Sequence, residues 1–262
     1  MNILWSQSDF SFINISVEDG LSESTVKIIF EDHHGFIYIG TENGLDFYDG
    51  YEFKNYQMNS FDESSLLGNK ISTIYEDSNH LIWVGSELGI SQFDPTTRNF
   101  YRPVNLDKTE GLTLINPETI AEDANGNIWV KLFDNDQIFI IDQANDTTIC
   151  MNCTPDDILF NQSIHSLFED RTKTIWFGTI TGLYQFNLAE NKIQRFDSGS
   201  DNLFIFQSSI TAIEQGQGDV VWVGSQQGLG KISSDGVSTY TRQEGQNSIV
   251  SNVVNDLDWD SG

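Results

Sequence analysis

A chain of 262 residues with 13 Lys plus Arg against 39 Asp plus Glu carries a formal charge of -26. A surface this negative repels phosphate backbones and anionic lipid, so neither nucleic acid nor direct membrane contact is expected; the bland reading is solubility, as in a salty habitat. At 38% hydrophobic and 12% aromatic residues the chain is too apolar to be disordered, and no apolar run approaches the roughly 20 residues that cross a bilayer.

The first ten residues, MNILWSQSDF, hold neither the basic segment nor the apolar core of a secretory signal, so an exported protein would already have lost its signal. FSFINIS, residues 10–16, reads as an outer strand. From there a unit repeats. Residues 26–49 (VKIIFEDHHGFIYIGTENGLDFYD), 71–94 (ISTIYEDSNHLIWVGSELGISQFD) and 164–187 (IHSLFEDRTKTIWFGTITGLYQFN) share one order of apolar, acidic, glycine and aromatic positions. The unit opens with an apolar pair three apart, such as Val26 and Ile29 or Ile71 and Ile74. An acidic turn follows, fullest at Glu31-Asp32-His33-His34-Gly35, where Asp can bond the amides of its own turn and Gly can take positive φ. Then comes a β-rich run, LIWVGS or TIWFGT, whose glycine leaves room for close packing. A short turn such as Glu87-Leu88-Gly89 leads into a third strand, and a fourth carries single aromatics such as Phe53, Phe100 and Phe196.

The anchor aromatic of each unit falls at Tyr38, Trp83, Trp129, Trp176 and Trp222, with spacings of 45, 46, 47 and 46. Even spacing in this range, with four short strands per unit and no helical periodicity, predicts an all-β fold: a β-propeller of four-stranded blades. The repeats run approximately 17–62, 63–109, 110–156, 157–202 and 203–248, with a sixth begun at 249–262. The expectation is a single partial propeller, five complete repeats and the start of another, cut from a seven-bladed ring, because whole proteins avoid a bare blade edge.

Blade three departs most from the pattern. Lys131-Leu132 stands where other blades have Gly-Thr or Gly-Ser, and its next hairpin, Phe133 to Gln137, is two residues longer. Such departures are where a scaffold can be modified for binding, against the alternative of drift in one repeat. Lys131, Phe133, Asp134, Asp136 and Arg102 are the candidate ligand-binding residues, on the face bordered by 101–117, and a polar ligand such as a sugar is the expected type. Cys150 and Cys153, in Cys-Met-Asn-Cys, lack a second pair for zinc and a helix N-terminus for redox work, which leaves a local disulfide or two free thiols.

His33 and His34 read as exposed turn residues whose rings point apart. With four histidines scattered at 33, 34, 80 and 165, no triad, metal centre or cofactor is expected. Asp-Ala-Asn-Gly-Asn at 123–127 lacks the carboxylate that completes a calcium loop and reads as a turn.

The pattern carried by Glu18-Asp19-Gly20-Leu21-Ser22, Glu31-Asp32-His33-His34-Gly35, Ile82-Trp83-Val84-Gly85-Ser86 and Ile175-Trp176-Phe177-Gly178-Thr179 resembles the two-component regulator propeller repeat. That resemblance implies an extracytoplasmic, periplasmic sensor region of a membrane-anchored signalling protein such as a hybrid histidine kinase or a diguanylate cyclase. In that family two seven-bladed propellers are commonly followed by a β-sandwich, a membrane helix and an output domain. The region itself is then non-catalytic. Its partners would be a small molecule or oligosaccharide and the remainder of the parent protein, with a homodimer allowed. Two other classes compete with this reading: a propeller lyase, which needs a supported histidine at the channel mouth and finds none placed there, and a scaffold of Trp-Asp repeats, of which Trp259-Asp260 is the sole example.

Overall fold

The computed structural model describes residues 14–103, 116–187, 190–197, 204–243 and 248–258. Within them lie five antiparallel sheets of four strands, each in meander order. Blade one comprises β1 (Val26–Glu31), β2 (Ile37–Thr41), β3 (Gly44–Tyr48) and β4 (Phe53–Tyr56). Blade two comprises β5 (Ile71–Glu76), β6 (Ile82–Ser86), β7 (Gly89–Asp94) and β8 (Asn99–Tyr101). Blade three comprises β9 (Pro117–Glu122), β10 (Ile128–Leu132), β11 (Ile138–Asp142) and β12 (Thr147–Cys150). Blade four comprises β13 (Ile164–Glu169), β14 (Ile175–Thr179), β15 (Gly182–Asn187) and β16 (Lys192–Arg195). Blade five comprises β17 (Ile210–Gln215), β18 (Val221–Ser225), β19 (Gly228–Ser233) and β20 (Gly236–Tyr240).

The first strand of each blade is innermost, and these strands pack on one another in chain order: β1 on β5, β5 on β9, β9 on β13, β13 on β17. The sheets form an open arc rather than a closed ring. At its two ends burial thins: Ile29 on β1 is exposed, and Trp222 on β18 is the only anchor ring that is not fully buried.

The first four anchor rings are buried against the following blade. Tyr38 lies among Ile71, Ile74, Ile82 and Phe93 of blade two. Trp83 lies among Ile128, Val130 and Phe139 of blade three. Trp129 meets Phe177 and Phe186 of blade four at ring distances of 5.6 and 4.6 Å, and Trp176 lies among Ile210, Ile213 and Val223 of blade five. Burying a large apolar side chain contributes roughly 1.5–3 kcal/mol, so the seams between blades are the core of the molecule.

The glycine of each second strand makes this approach possible. A Cβ on Gly85 would stand 2.6 Å from Pro117 Cγ, and one on Gly40 would stand 2.6 Å from Ile71 Cγ2. Val254 occupies the same place against Gly224, and its N–H donates to the Ser225 carbonyl at 3.0 Å. The start of the sixth repeat therefore docks on blade five as the inner strands dock elsewhere, although no strand is formed over 248–258.

Residues 10–13 of the expected outer strand lie outside the described residues, as do 104–115 and Trp259-Asp260. Residues 14–16 form no strand. Ser16 instead caps a 3-10 turn, Val17–Asp19, in a capping box with Asp19, and that local bonding competes with sheet pairing.

Candidate functional site

Lys131 occupies on β10 the position that is glycine on β2, β6, β14 and β18. Its side chain is 3% exposed, and its ammonium pairs with Glu118 of β9 and, at 3.1 Å, with Asp136 of the β10–β11 loop. Two carboxylates offset the cost of taking the ammonium out of water. Lys131 therefore offers no charge at a binding mouth, contrary to the sequence expectation; it anchors the loop.

That loop, residues 133–137, stands where β6 and β7 are joined by Glu87-Leu88 alone. It is braced throughout. The Phe133 N–H donates to the Asn116 carbonyl at 3.0 Å, and Asn116 Nδ2 donates to Asp134 Oδ2 at 2.7 Å. Ser163, leading into blade four, donates to Asp136 Oδ2 at 3.3 Å. Asn152 donates to the Asp136 carbonyl at 2.8 Å and accepts from the Ile138 N–H at 2.9 Å. Cys150 and Cys153 are joined in a disulfide that spans Asn152, with Cα atoms 5.7 Å apart, and Gln137 Nε2 donates to Cys153 Sγ at 3.2 Å. This framework presents to solvent the Phe133 ring, 69% exposed, with Asp134 and Asn135 exposed beside it.

Arg102 does not join this group. Its guanidinium donates to Ser91 Oγ at 3.4 Å and to the Ser65 carbonyl at 2.9 Å, both in and beside blade two, where burial lowers its pKa. The long connection that was to border the loop lies mostly outside the described residues. His165, second residue of β13, does stand at this end of the blades, with Nδ1 2.9 Å from the Ile210 carbonyl oxygen.

The opposite face is made by the turns between first and second strands. Asp77 accepts from the N–H groups of Asn79 and Leu81 at 2.9 and 3.0 Å and from the Trp83 indole at 2.8 Å. Asp123 and Asp170 hold Trp129 and Trp176 likewise, at 3.0 and 2.8 Å. The turn expected at 123–127 is this turn. Neighbouring turns are tied through the glutamate before each aspartate: the His33 N–H donates to Glu76 at 2.9 Å, and the Ser78 N–H donates to Glu122 at 3.0 Å.

Three residues after each aspartate the backbone is left-handed: Gly35, His80, Gly126 and Lys173, at φ 84°, 63°, 80° and 64°. Where this residue is not glycine its side chain folds back on its own blade's glutamate. Lys173 pairs with Glu169 and, at 3.2 Å, with Glu122 of blade three. His80 Nδ1 lies 2.9 Å from Glu76 Oε1, and the His33 ring reaches the same oxygen from blade one. The His33 and His80 rings stack with centroids 3.6 Å apart, and the His33 and His34 rings lie 3.7 Å apart. Two sequence expectations are corrected here. The adjacent histidines turn toward each other, and His33 and His80 are gathered rather than scattered. Burial would raise the Glu76 carboxyl, but the His33 N–H and the two imidazoles outweigh it and hold it below the ordinary range.

Beside these turns a cleft of about 320 Å³ is lined by Phe36, Phe47, Tyr51, Tyr56, Phe93 and Arg98, among others. No helix among the described residues is long and apolar enough to cross a membrane.

Two segments, residues 65–87 and 158–181, match the model of the two component regulator propeller. These two segments match the repeat that the sequence resemblance implied. Over 59 residues, 22% of this chain and 4% of the relative, it is 41% identical to histidine kinase P4 of Formosa agariphila. In fold it is similar to the extracellular domain described as that of a hybrid two-component system from B. thetaiotaomicron, at TM-score 0.56 and 18% identity. That match covers 93% of this chain and 38% of the other. A catalytically inactive virginiamycin B lyase from Staphylococcus aureus, solved with quinupristin, aligns at TM-score 0.57 and 15% identity over 86% of this chain and 73% of the lyase. These matches span well under half the length of the histidine kinase and of the two-component extracellular domain.

Proposed function

We propose that the two-component regulator propeller repeats of this chain form an extracytoplasmic sensor module of a membrane-anchored signalling protein, non-catalytic in itself, that binds a polar small molecule or oligosaccharide. The observation that carries the reading is the loop at residues 133–137. A scaffold repeated with little change elsewhere gives up a close-packed glycine for Lys131 there, and the ion pairs to Glu118 and Asp136 hold an exposed aromatic ring on a braced loop. Aromatic faces bind the apolar faces of sugar rings, and the nearby carboxylates accept from hydroxyls. The location is supported by the repeats and by the similarity to an extracellular two-component domain. Output chemistry would lie elsewhere in the parent protein, reached through movement of a stiff body.

The test is calorimetry and thermal shift with a panel of neutral oligosaccharides. Wild type should bind at least one with a saturable isotherm and a raised Tm. Phe133→Ala should weaken that binding at least tenfold, and Tyr51→Ala, in the aromatic cleft of the other face, should not. Loss in Tyr51→Ala with Phe133→Ala unaffected would overturn the loop assignment. Failure of the whole panel would overturn the oligosaccharide reading.

A further inference from the structure

We propose that His33, Glu76 and His80 form a binding site for a divalent transition-metal ion of the zinc type, set across the seam between blades one and two. The proposal does not rest on the ligand reading above. One donor atom from each residue lies within 4.8 Å of the others, and both imidazoles approach the same carboxylate oxygen of Glu76. Two nitrogens and one carboxylate suit zinc, copper or nickel, whereas calcium and magnesium take oxygen ligands. The second oxygen of Glu76 is already held by the His33 N–H at 2.9 Å, which fixes the carboxylate's orientation, as metal-binding carboxylates are commonly fixed. Glu76 is 12% exposed and His80 58% exposed, so the base of the site is sheltered and its mouth is open to ion and water.

A second observation comes from the fold's own repetition. At the seam between blades three and four, the left-handed residue after the turn is Lys173, and its ammonium sits between Glu122 and Glu169. The seam thus has a built-in cation there. Between blades one and two the corresponding residue is His80, whose imidazole nitrogen is of the kind that ligates a metal ion, and His33 brings another. The ion would stand where the ammonium stands two blades on. His80 also takes φ 63°, a conformation that costs a non-glycine residue, where blades one and three have glycine. A metal ion would recover that cost.

The experiment titrates Zn²⁺ into the full chain under non-reducing conditions, which keep Cys150 and Cys153 out of the reaction, with millimolar Mg²⁺ present to occupy scattered carboxylates. Wild type should bind one equivalent, with a Tm that rises with Zn²⁺. His80→Gly is the decisive variant, because glycine is native at this position in neighbouring blades and the turn should fold unchanged. It should lose about tenfold to a hundredfold in affinity, and His33→Ala and Glu76→Gln should follow. Co²⁺ should give visible d–d bands with wild type that His80→Gly lacks. Equal Zn²⁺ affinity in wild type and His80→Gly, or no stoichiometric binding by wild type, would overturn the proposal.

Discussion

The turn aspartates show how much one residue can hold. Asp77 is buried and accepts two backbone N–H groups and the Trp83 indole, so it fixes both the turn and the ring that fills the next seam. Asp77→Ala removes the one charged acceptor that three donors share, and a hydrogen bond to a charged group is worth about 1.5–3 kcal/mol, not additively when one group accepts them all. The expected loss is about 2–4 kcal/mol, read as a lower urea midpoint with an unchanged m-value; a loss below about 0.5 kcal/mol would show that the ring holds its place without the bond. Blade five supplies the natural contrast. Gly216 replaces the aspartate there, and Trp222 is less buried than Trp83, Trp129 and Trp176. At this scale the sequence was legible in part. The acidic turns and the aromatic anchors stood out because they recur. The pairing of His33 with His80 did not, because the two sit at different offsets after their aspartates and meet only once the seam is built. Lys131 was visible as a departure from pattern, but its burial depends on where Glu118 and Asp136 fall, which no spacing reveals.

Elements were easier to read than contacts, since a four-strand meander follows from short β-rich runs and from turn residues that recur along the chain. The limits fall where local bonding or a neighbour decides. Residues 14–16 look strand-like yet enter a capped 3-10 turn, and the segment around Val254 docks without forming a strand. The glycine of the second strand was legible as a close approach, and the structure supplies what approaches: the first residues of the next inner strand. Gly85→Val should therefore force Pro117 and Thr73 apart, each 2.6 Å from the new Cβ. Overpacking of this kind costs about 1–3 kcal/mol, and because the strain lies between blades it should lower Tm while leaving the far-ultraviolet spectrum of the sheets intact. A Tm equal to wild type would mean that the seam is looser than the packing implies.

Across the whole molecule the seams are bridged by groups that must keep their protons. Tyr75, on the inner strand of blade two, donates to Glu169 on the inner strand of blade four at 2.6 Å. Burial, then the bond to Glu169, raises its pKa above the ordinary phenol range, and burial with nearby Asp32 does the same for Tyr38. For Lys173 burial pulls downward, but the pairs with Glu169 and Glu122 outweigh it and the net direction is up. All three are raised groups, so the fold holds protons that the unfolded chain releases. Their contribution is complete below the unfolded values, about 10 for Tyr and about 10.4 for Lys, and is lost as pH climbs past them. Urea midpoints should accordingly stay level from pH 7 to about 9 and fall above about 10. An acidic chain of charge -26 also repels itself more strongly as its lysines discharge, which could give a similar fall. The two causes separate on salt and on one substitution. Repulsion between exposed charges is screened by 0.5 M salt, whereas a buried phenol is not. Tyr75→Phe should therefore be less stable than wild type at pH 8 but lose stability less steeply above pH 10, with the difference surviving in salt. Parallel curves for the two proteins in salt would assign the alkaline fall to surface repulsion and remove Tyr75 as a proton-dependent tie between blades two and four.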